Sequence, residues 1–346
     1  MYIKFIKPLL FKLNIEQALN IIVWSLRIIG HIPGAKKLLR MNYQVESRSL
    51  EREVFGVKFR NPMGLAPGFD INADIIDEVE ALGFGFVEVG AITPQPQIGN
   101  PKPRLFSLEE DHALINRMGQ PNKGLKYAIN NLRKRSKEII VGCNIARNSY
   151  TPANEVAKEY LKVFRSLYQY ADYFTVSVIS SNSATEGAVF DETELRKIIT
   201  PLFDFRRGQS DYRPIFVKVS PDLSDEQIDS VTDIMIDTPL DGVVAISGTL
   251  KRENLKSNNT VVTRIGAGRM GGDAIRERAL EVVRRIHKRS NGAYPIIGVG
   301  GIDSPEDAKE MLEAGASLIQ IYSGFLYEGP QLIKQICKSL ATGEVK

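Results

Sequence analysis

The residues of this chain with chemistry to offer are Asn116, Asn144, Asn182, Ser180, Lys218 and two pairs of glycines, Gly271-Gly272 and Gly300-Gly301. Asparagine amides donate and accept hydrogen bonds at once, which suits a flat heterocycle with ring imides and carbonyls. Lys218 stands in the apolar run Ile215 to Val219, where it serves either as a Schiff-base nucleophile or as a fixed positive charge beside an anionic cofactor. The stretch from Pro295 to Phe325 reads as strand, glycine turn, helix, strand and a second small-residue turn. Gly300-Gly301 lets backbone amides approach an anion, and Asp303 or Ser304 caps a helix that ends at Gly315. Leu318 to Tyr322 repeats the pattern and ends in Tyr322-Ser323-Gly324. Two such turns in succession point to a phosphorylated cofactor. Hydrolytic chemistry finds no support, because no histidine or carboxylate pair accompanies these residues. Cys143 and Cys337 lie far apart and three histidines are scattered, so neither a disulfide framework nor a metal site is indicated.

Eight short apolar runs must position these groups: residues 61–66, 86–90, 139–144, 173–178, 215–219, 242–246, 295–299 and 318–322. Each suits a strand buried on both faces. Helical patterns lie between them, such as residues 74–82, 154–170, 225–236, 275–288 and 305–312. This alternation predicts parallel strands with crossover helices, and eight repeats predict closure into a (β/α)8 TIM barrel, with a doubly wound open sheet as the alternative. In such a barrel the loops after the last two strands commonly hold a phosphate, and the other functional groups sit at the carboxyl ends of the strands. Residues 93–104 carry four prolines and are expected to form a long loop over one end of the barrel.

The 346 residues exceed the roughly 250 of a typical barrel, and the surplus lies mostly at the front. Residues 1–42 read as a separate segment of amphipathic helices, interrupted at Gly30 and Pro33, ahead of a barrel over residues 43–346. Through Arg40 it holds seven basic residues against Glu16 alone, a charge of +6, which leaves −2 for the remainder of a chain whose total is +4. The basic balance is therefore an end effect and speaks against a nucleic-acid groove. A basic, apolar segment holding the single Trp24 suits the surface of an anionic membrane, although no run in it spans a bilayer. Pro8, Lys7 and Lys12 break the apolar core that a secretory signal would need.

Several blocks are highly specific: Phe59-Arg60-Asn61-Pro62, the run from Ile92 to Arg104, Ile115-Asn116-Arg117-Met118-Gly119, the run from Val217 to Ser224, and Ile297 to Phe325. On these the chain resembles dihydroorotate dehydrogenase over nearly its whole length. The helical extension and a serine, rather than a cysteine, at Ser180 resemble the membrane-associated class that passes electrons to quinone. The resemblance implies bound FMN, with Ala66 and Gly68 along the flavin, Asn144 hydrogen-bonding near it and Lys218 stabilising negative charge on the reduced ring. It implies Gly272, Gly301, Tyr322 and Ser323 around the phosphate. Ser180 becomes the base that takes a proton from C5 of dihydroorotate while hydride leaves C6, passing that proton to water or a neighbour. Asn116 and Asn182, with Ser177 and Ser247, would bind the pyrimidine. The implied location is peripheral, on the cytoplasmic side of the inner membrane.

Departures from the family pattern concentrate around the substrate. Ile71 stands where a lysine is expected, Ser177 and Ser247 where asparagines are, Gly248 where a threonine is, and Gln120-Pro121-Asn122 where the family reads Phe-Asn-Asn. Losing a charged partner and two amides weakens binding of an anionic pyrimidine by several kcal/mol, at about 1.5–3 for a charged hydrogen bond and about 1 for a neutral one. Arg147, Lys123 and Arg269 are the basic residues that could compensate. Two alternatives follow: a divergent FMN oxidoreductase acting on another cyclic substrate, and a non-catalytic flavin-binding protein of the membrane surface.

Overall fold

Eight parallel strands close into a barrel in which every strand lies beside its neighbours in chain order: Met63–Leu65, Phe86–Ile92, Ile140–Ile145, Tyr173–Val176, Ile215–Val219, Gly242–Ala245, Ile296–Val299 and Leu318–Ile321. The computed structural model describes residues 2, 6–177 and 190–343. All eight predicted strands are present, and the five predicted helices appear as Ile76–Ala81, Val156–Leu167, Asp225–Asp237, Arg276–Arg289 and Pro305–Glu313. The open sheet is thereby excluded.

Alternation along each strand sorts side chains into layers. Phe86, Tyr173, Phe216 and Leu318 point inward near the amino end and pack with Val54 and Phe59 of a hairpin that closes this end. Glycines make room for these rings: a Cβ at Gly64 would lie 2.2 Å from the Phe86 ring, and one at Gly142 would lie 2.1 Å from that of Tyr173. Two residues further along, the same strands contribute Glu88, Asn144, Thr175, Lys218 and Gln320, a polar layer above an aromatic floor. Outward-facing residues such as Val87, Val141, Phe174, Val217, Val243 and Ile319 join the main core beneath the helices.

Residues 93–104 form an irregular loop, as expected, joined to the next segment by an isolated bridge between Gln97 and Asn122. A three-stranded antiparallel sheet not anticipated from sequence follows it: Leu105–Leu108, Ala113–Asn116 and Arg269–Gly272. It joins the loop after the second barrel strand to the one after the sixth. Neither hydrophobic period nor turn residues announce it, because strands of four residues carry almost no pattern of their own.

At the front, helices Ile15–His31 and Ala35–Tyr43 meet at 115°. The break falls at Pro33 alone, since the first helix runs straight through Gly30. That glycine serves close packing instead, as a Cβ there would lie 1.6 Å from Glu78 Oε1 on the barrel's first crossover helix. Ion pairs Arg27–Asp74, Lys36–Asp77 and Arg40–Glu80 join the two regions, and Glu16 meets Arg104 at 2.9 Å with both side chains nearly buried.

Candidate active site

A cavity of about 280 Å³ opens at the carboxyl ends of the barrel strands. Among the described residues no carboxylate lines it, whereas Arg117, Lys218 and Arg269 do. Of the residues singled out by sequence, Ala66, Gly68, Asn116, Asn144, Ser177, Lys218, Ser247, Gly272, Gly301, Tyr322 and Ser323 all border this one space. Ser180 and Asn182, with the rest of residues 178–189, lie outside the described residues.

Lys218 reaches the cavity from the fifth strand, and Asn144 from the third. Asn144 donates to Glu88 Oε1 at 2.8 Å, and Gln320 and Tyr173 donate to Glu88 Oε2 at 2.8 and 3.2 Å. These bonds orient the amide of Asn144 from below. Burial depresses the pKa of Lys218, and the nearby Glu88 carboxylate partly opposes that effect. A lysine so placed gains from any negative charge arriving above it. Glu88, wholly buried in an apolar run, is a functional residue that sequence reasoning passed over. Its signal was available: a charge two residues after Phe86 on a strand buried on both faces must face the barrel interior.

At the far end of the cavity the backbone turns inward. Gly272, Gly300 and Gly301 have φ of 108°, 130° and 65°. A Cβ at Gly272 would meet His112 O at 2.3 Å, and one at Gly301 would meet Arg276 Cβ at 2.4 Å, so only glycine fits either place. Gly272 leads into the helix Arg276–Arg289, and Ser323 begins the helix Ser323–Glu328. The amino ends of helices favour anions. The Tyr322 hydroxyl is buried with no hydrogen-bond partner among the described residues, as is Gln320 Oε1. A glycine cradle, a lysine, an oriented amide and these unsatisfied polar atoms suit a phosphorylated planar cofactor, with Gly272, Gly301 and Ser323 able to receive a phosphate and Asn144 and Lys218 a flat ring. No Schiff-base role is needed for Lys218.

The antiparallel sheet brings Asn116 to the mouth, where its Oδ1 accepts from the Met118 amide at 2.8 Å. Ser177 is held by its backbone, its N–H donating to Ile145 O and its carbonyl accepting from the Tyr160 hydroxyl. Of the three compensating basic residues, only Arg269 reaches this cavity. Lys123 lies over the Tyr127 ring and beside Asp74, and Arg147 donates to the Asn148 carbonyl.

A second, wider cavity of about 980 Å³ adjoins the first through Ile71, Asn100, Met118, Gly119 and Pro121. Glu16 and Asn20 of the first long helix form part of its wall.

The model of the family described as dihydroorotate dehydrogenase matches residues 49–343. The chain is 44% identical to the dihydroorotate dehydrogenase (quinone) of Christiangramia forsetii over 97% of both chains. It is 39% identical to that of Roseiflexus sp., covering 97% of this chain and 92% of the other. The crystal structure of Eimeria tenella DHODH in complex with ferulenol superimposes with a TM-score of 0.83 at 29% identity, over 94% of this chain and 90% of that one.

Proposed function

The chain belongs to the dihydroorotate dehydrogenase family, and from that premise we propose how its own residues carry out the reaction. It is a flavin-dependent oxidoreductase that converts dihydroorotate to orotate and passes the electrons to a quinone. We assign the flavin as FMN. What carries this assignment is the glycine cradle at Gly272 and Gly301 beside the unsatisfied Tyr322 hydroxyl, which offers room and donors for a phosphate. Bound FMN supplies the acceptor for hydride and the donor of electrons to quinone.

Asn144 holds the edge of the ring, its amide fixed by Glu88, and Lys218 balances negative charge above the buried layer. Asn116, Ser177 and Ser247 border the substrate side, and Asn182 joins them by its place in the sequence. Ser180 takes the proton from C5 and relays it, since a serine hydroxyl has little basicity of its own. The aromatic floor and the antiparallel sheet keep bulk water from below and from the side.

Residues 1–42 serve as the quinone-access and membrane segment of a barrel formed by residues 43–346. The second cavity, walled by the first long helix and sharing Ile71 and Met118 with the first, supports a quinone route to the flavin edge. Ile21, Trp24 and Ile28, spaced as one helical stripe, stand exposed, as do Ile32 just before the bend and Leu38 and Met41 beyond it. No single helix among the described residues is long and apolar enough to cross a membrane. The exposed stripe supports peripheral attachment, on the cytoplasmic side of the inner membrane, with lysines near anionic headgroups.

Anaerobic titration of the purified yellow protein with dihydroorotate tests the reaction. Bleaching of the flavin absorbance is the expected result. A flavin that dithionite reduces and dihydroorotate does not would overturn the assignment of substrate.

A further inference from the structure

We infer that His112, which does not line the cavity, is a positioning residue for the cofactor. It ties together the three backbone turns that receive the phosphate, and so governs how long the cofactor stays bound. The inference rests on the FMN reading above. Those turns are Gly271-Gly272, Gly300-Gly301 and Tyr322-Ser323, and each stands at the end of a different strand. An anion shared between separate turns is held firmly only while their spacing is fixed, because a hydrogen bond near 2.9 Å weakens steeply once its partners part or tilt.

His112 touches all three. Its carbonyl accepts from the Asp273 amide at 3.3 Å, one residue beyond Gly272, and lies 2.3 Å from where a Cβ at Gly272 would fall. Its Nδ1 donates to Asp303 Oδ2 at 2.8 Å, two residues beyond Gly301. Its ring stacks on Tyr327, with centroids 5.0 Å apart and planes 7° from parallel. Tyr327 belongs to the helix Ser323–Glu328, which the third turn begins. The Tyr327 hydroxyl returns the contact by donating to the Ala113 carbonyl at 2.9 Å. The second and third turns already touch, since a Cβ at Gly324 would lie 2.2 Å from Ile302 O and 3.3 Å from Asp303 Cα. The histidine holds the first turn against that pair.

The backbone makes this triple contact possible. His112 has φ of 44° and ψ of 38°, between the short turn Glu109–Asp111 and the strand Ala113–Asn116. Asn, Asp and His are the residues other than glycine that enter this left-handed region most readily. The bond to Asp303 also feeds a wider brace. Asp307 Oδ2 accepts from the Asp303 amide at 3.3 Å, while its Oδ1 meets Arg276 Nη1 at 2.8 Å. Arg276 in turn supplies the Cβ that packs against Gly301. An isolated surface pair of long side chains contributes little, whereas these two are short and join segments 191 residues apart in sequence.

The test is the rate at which FMN leaves diluted holoprotein, read from the rise of flavin fluorescence, for wild type and four variants. His112→Ala removes the bond and the stacked ring. His112→Asn keeps an N–H donor near the place of Nδ1 and tolerates the left-handed backbone. Asp303→Ala removes the bond and leaves residue 112 unchanged. Arg289→Ala breaks pairs with Asp229 and Asp233 at the far end of the helix Arg276–Arg289, and so controls for a general loss of stability. Release is expected to quicken about 5- to 20-fold in His112→Ala and about 2- to 5-fold in Asp303→Ala. His112→Asn should fall nearer wild type than His112→Ala, and Arg289→Ala should match wild type. Thermal melting identifies a variant that does not fold; if His112→Ala is one, Asp303→Ala against Arg289→Ala decides alone. Wild-type rates in both His112→Ala and Asp303→Ala, or an equal acceleration by Arg289→Ala, would overturn the role of His112 and leave the FMN assignment intact. Wild-type protein that is purified without FMN and does not take it up would overturn that assignment and this inference with it.

Discussion

Alanine at Gly301 and alanine at Gly343 make a matched pair that separates backbone preference from cradle geometry. The two glycines have nearly equal φ, 65° and 72°. Placing a Cβ in this left-handed region costs about 1 kcal/mol at either site. At Gly343 no described residue lies within 4 Å of the added carbon, so that cost is the whole effect expected there. At Gly301 the new Cβ falls 2.4 Å from Arg276 Cβ and 2.9 Å from Arg276 Cα. Carbon atoms prefer about 3.5–4.0 Å, so the start of the helix Arg276–Arg289 or the turn itself must retreat by roughly 1 Å. Forced repacking of this kind costs about 1–3 kcal/mol, giving a total near 2–4 kcal/mol for Gly301→Ala. The retreat also moves the turn at Gly272, which leads into the same helix, so both halves of the phosphate cradle are disturbed together. We expect Gly301→Ala to bind FMN about 10- to 100-fold more weakly, if half or more of that strain is relieved when flavin leaves. Gly343→Ala should keep wild-type affinity. Flavin fluorescence quenching on adding apoprotein measures both constants, and urea melts measure both stabilities. If Gly301→Ala held FMN as tightly as Gly343→Ala, the glycine turn could not be the phosphate cradle.

Three further outcomes follow from the same geometry. Lys218→Met should retain FMN but lower its midpoint potential by on the order of 50–100 mV, from a unit charge a few ångströms away at an effective dielectric near 20; an unchanged potential would remove Lys218 from its role. Burial raises the pKa of Asp70 to about 7 although its oxygens accept from the Asp74 and Ile75 amides. The native state therefore keeps a proton that the unfolded chain releases near 3.8, so this group's contribution is greatest below that value and declines as pH rises toward 7. The stability difference between wild type and Asp70→Asn should shift against wild type across that window, and a difference flat in pH by urea denaturation would refute the assignment. Finally, Trp24→Glu should weaken sedimentation with anionic vesicles while flavin reduction by dihydroorotate stays as in wild type; equal vesicle binding by both proteins would show that the exposed stripe does not face lipid.

The alternation of buried strands and crossover helices was legible in the sequence because the barrel strands are short apolar runs and some of the helices carry side-chain caps, such as Ser224 and Ser304. Gly272, Gly301 and the Tyr322-Ser323 turn were legible for a similar reason, since a backbone that must approach an anion leaves few residue types possible. The antiparallel sheet was not, because its strands have four residues each and the third, Arg269–Gly272, pairs with Ala113–Asn116 from far along the chain. Glu88 was overlooked although its neighbours betrayed it, and its three partners come from three other strands of the barrel. Sequence could name Arg147, Lys123 and Arg269 as available basic residues, yet had no means of ranking them. Local spacing alone determined the barrel and the glycine turns after its last strands, because those depend on periodicity and on backbone freedom. Which of these basic residues borders the cavity was decided by tertiary structure, because it depends on the strand register that sets Arg269 opposite Asn116, which is not encoded within any one segment.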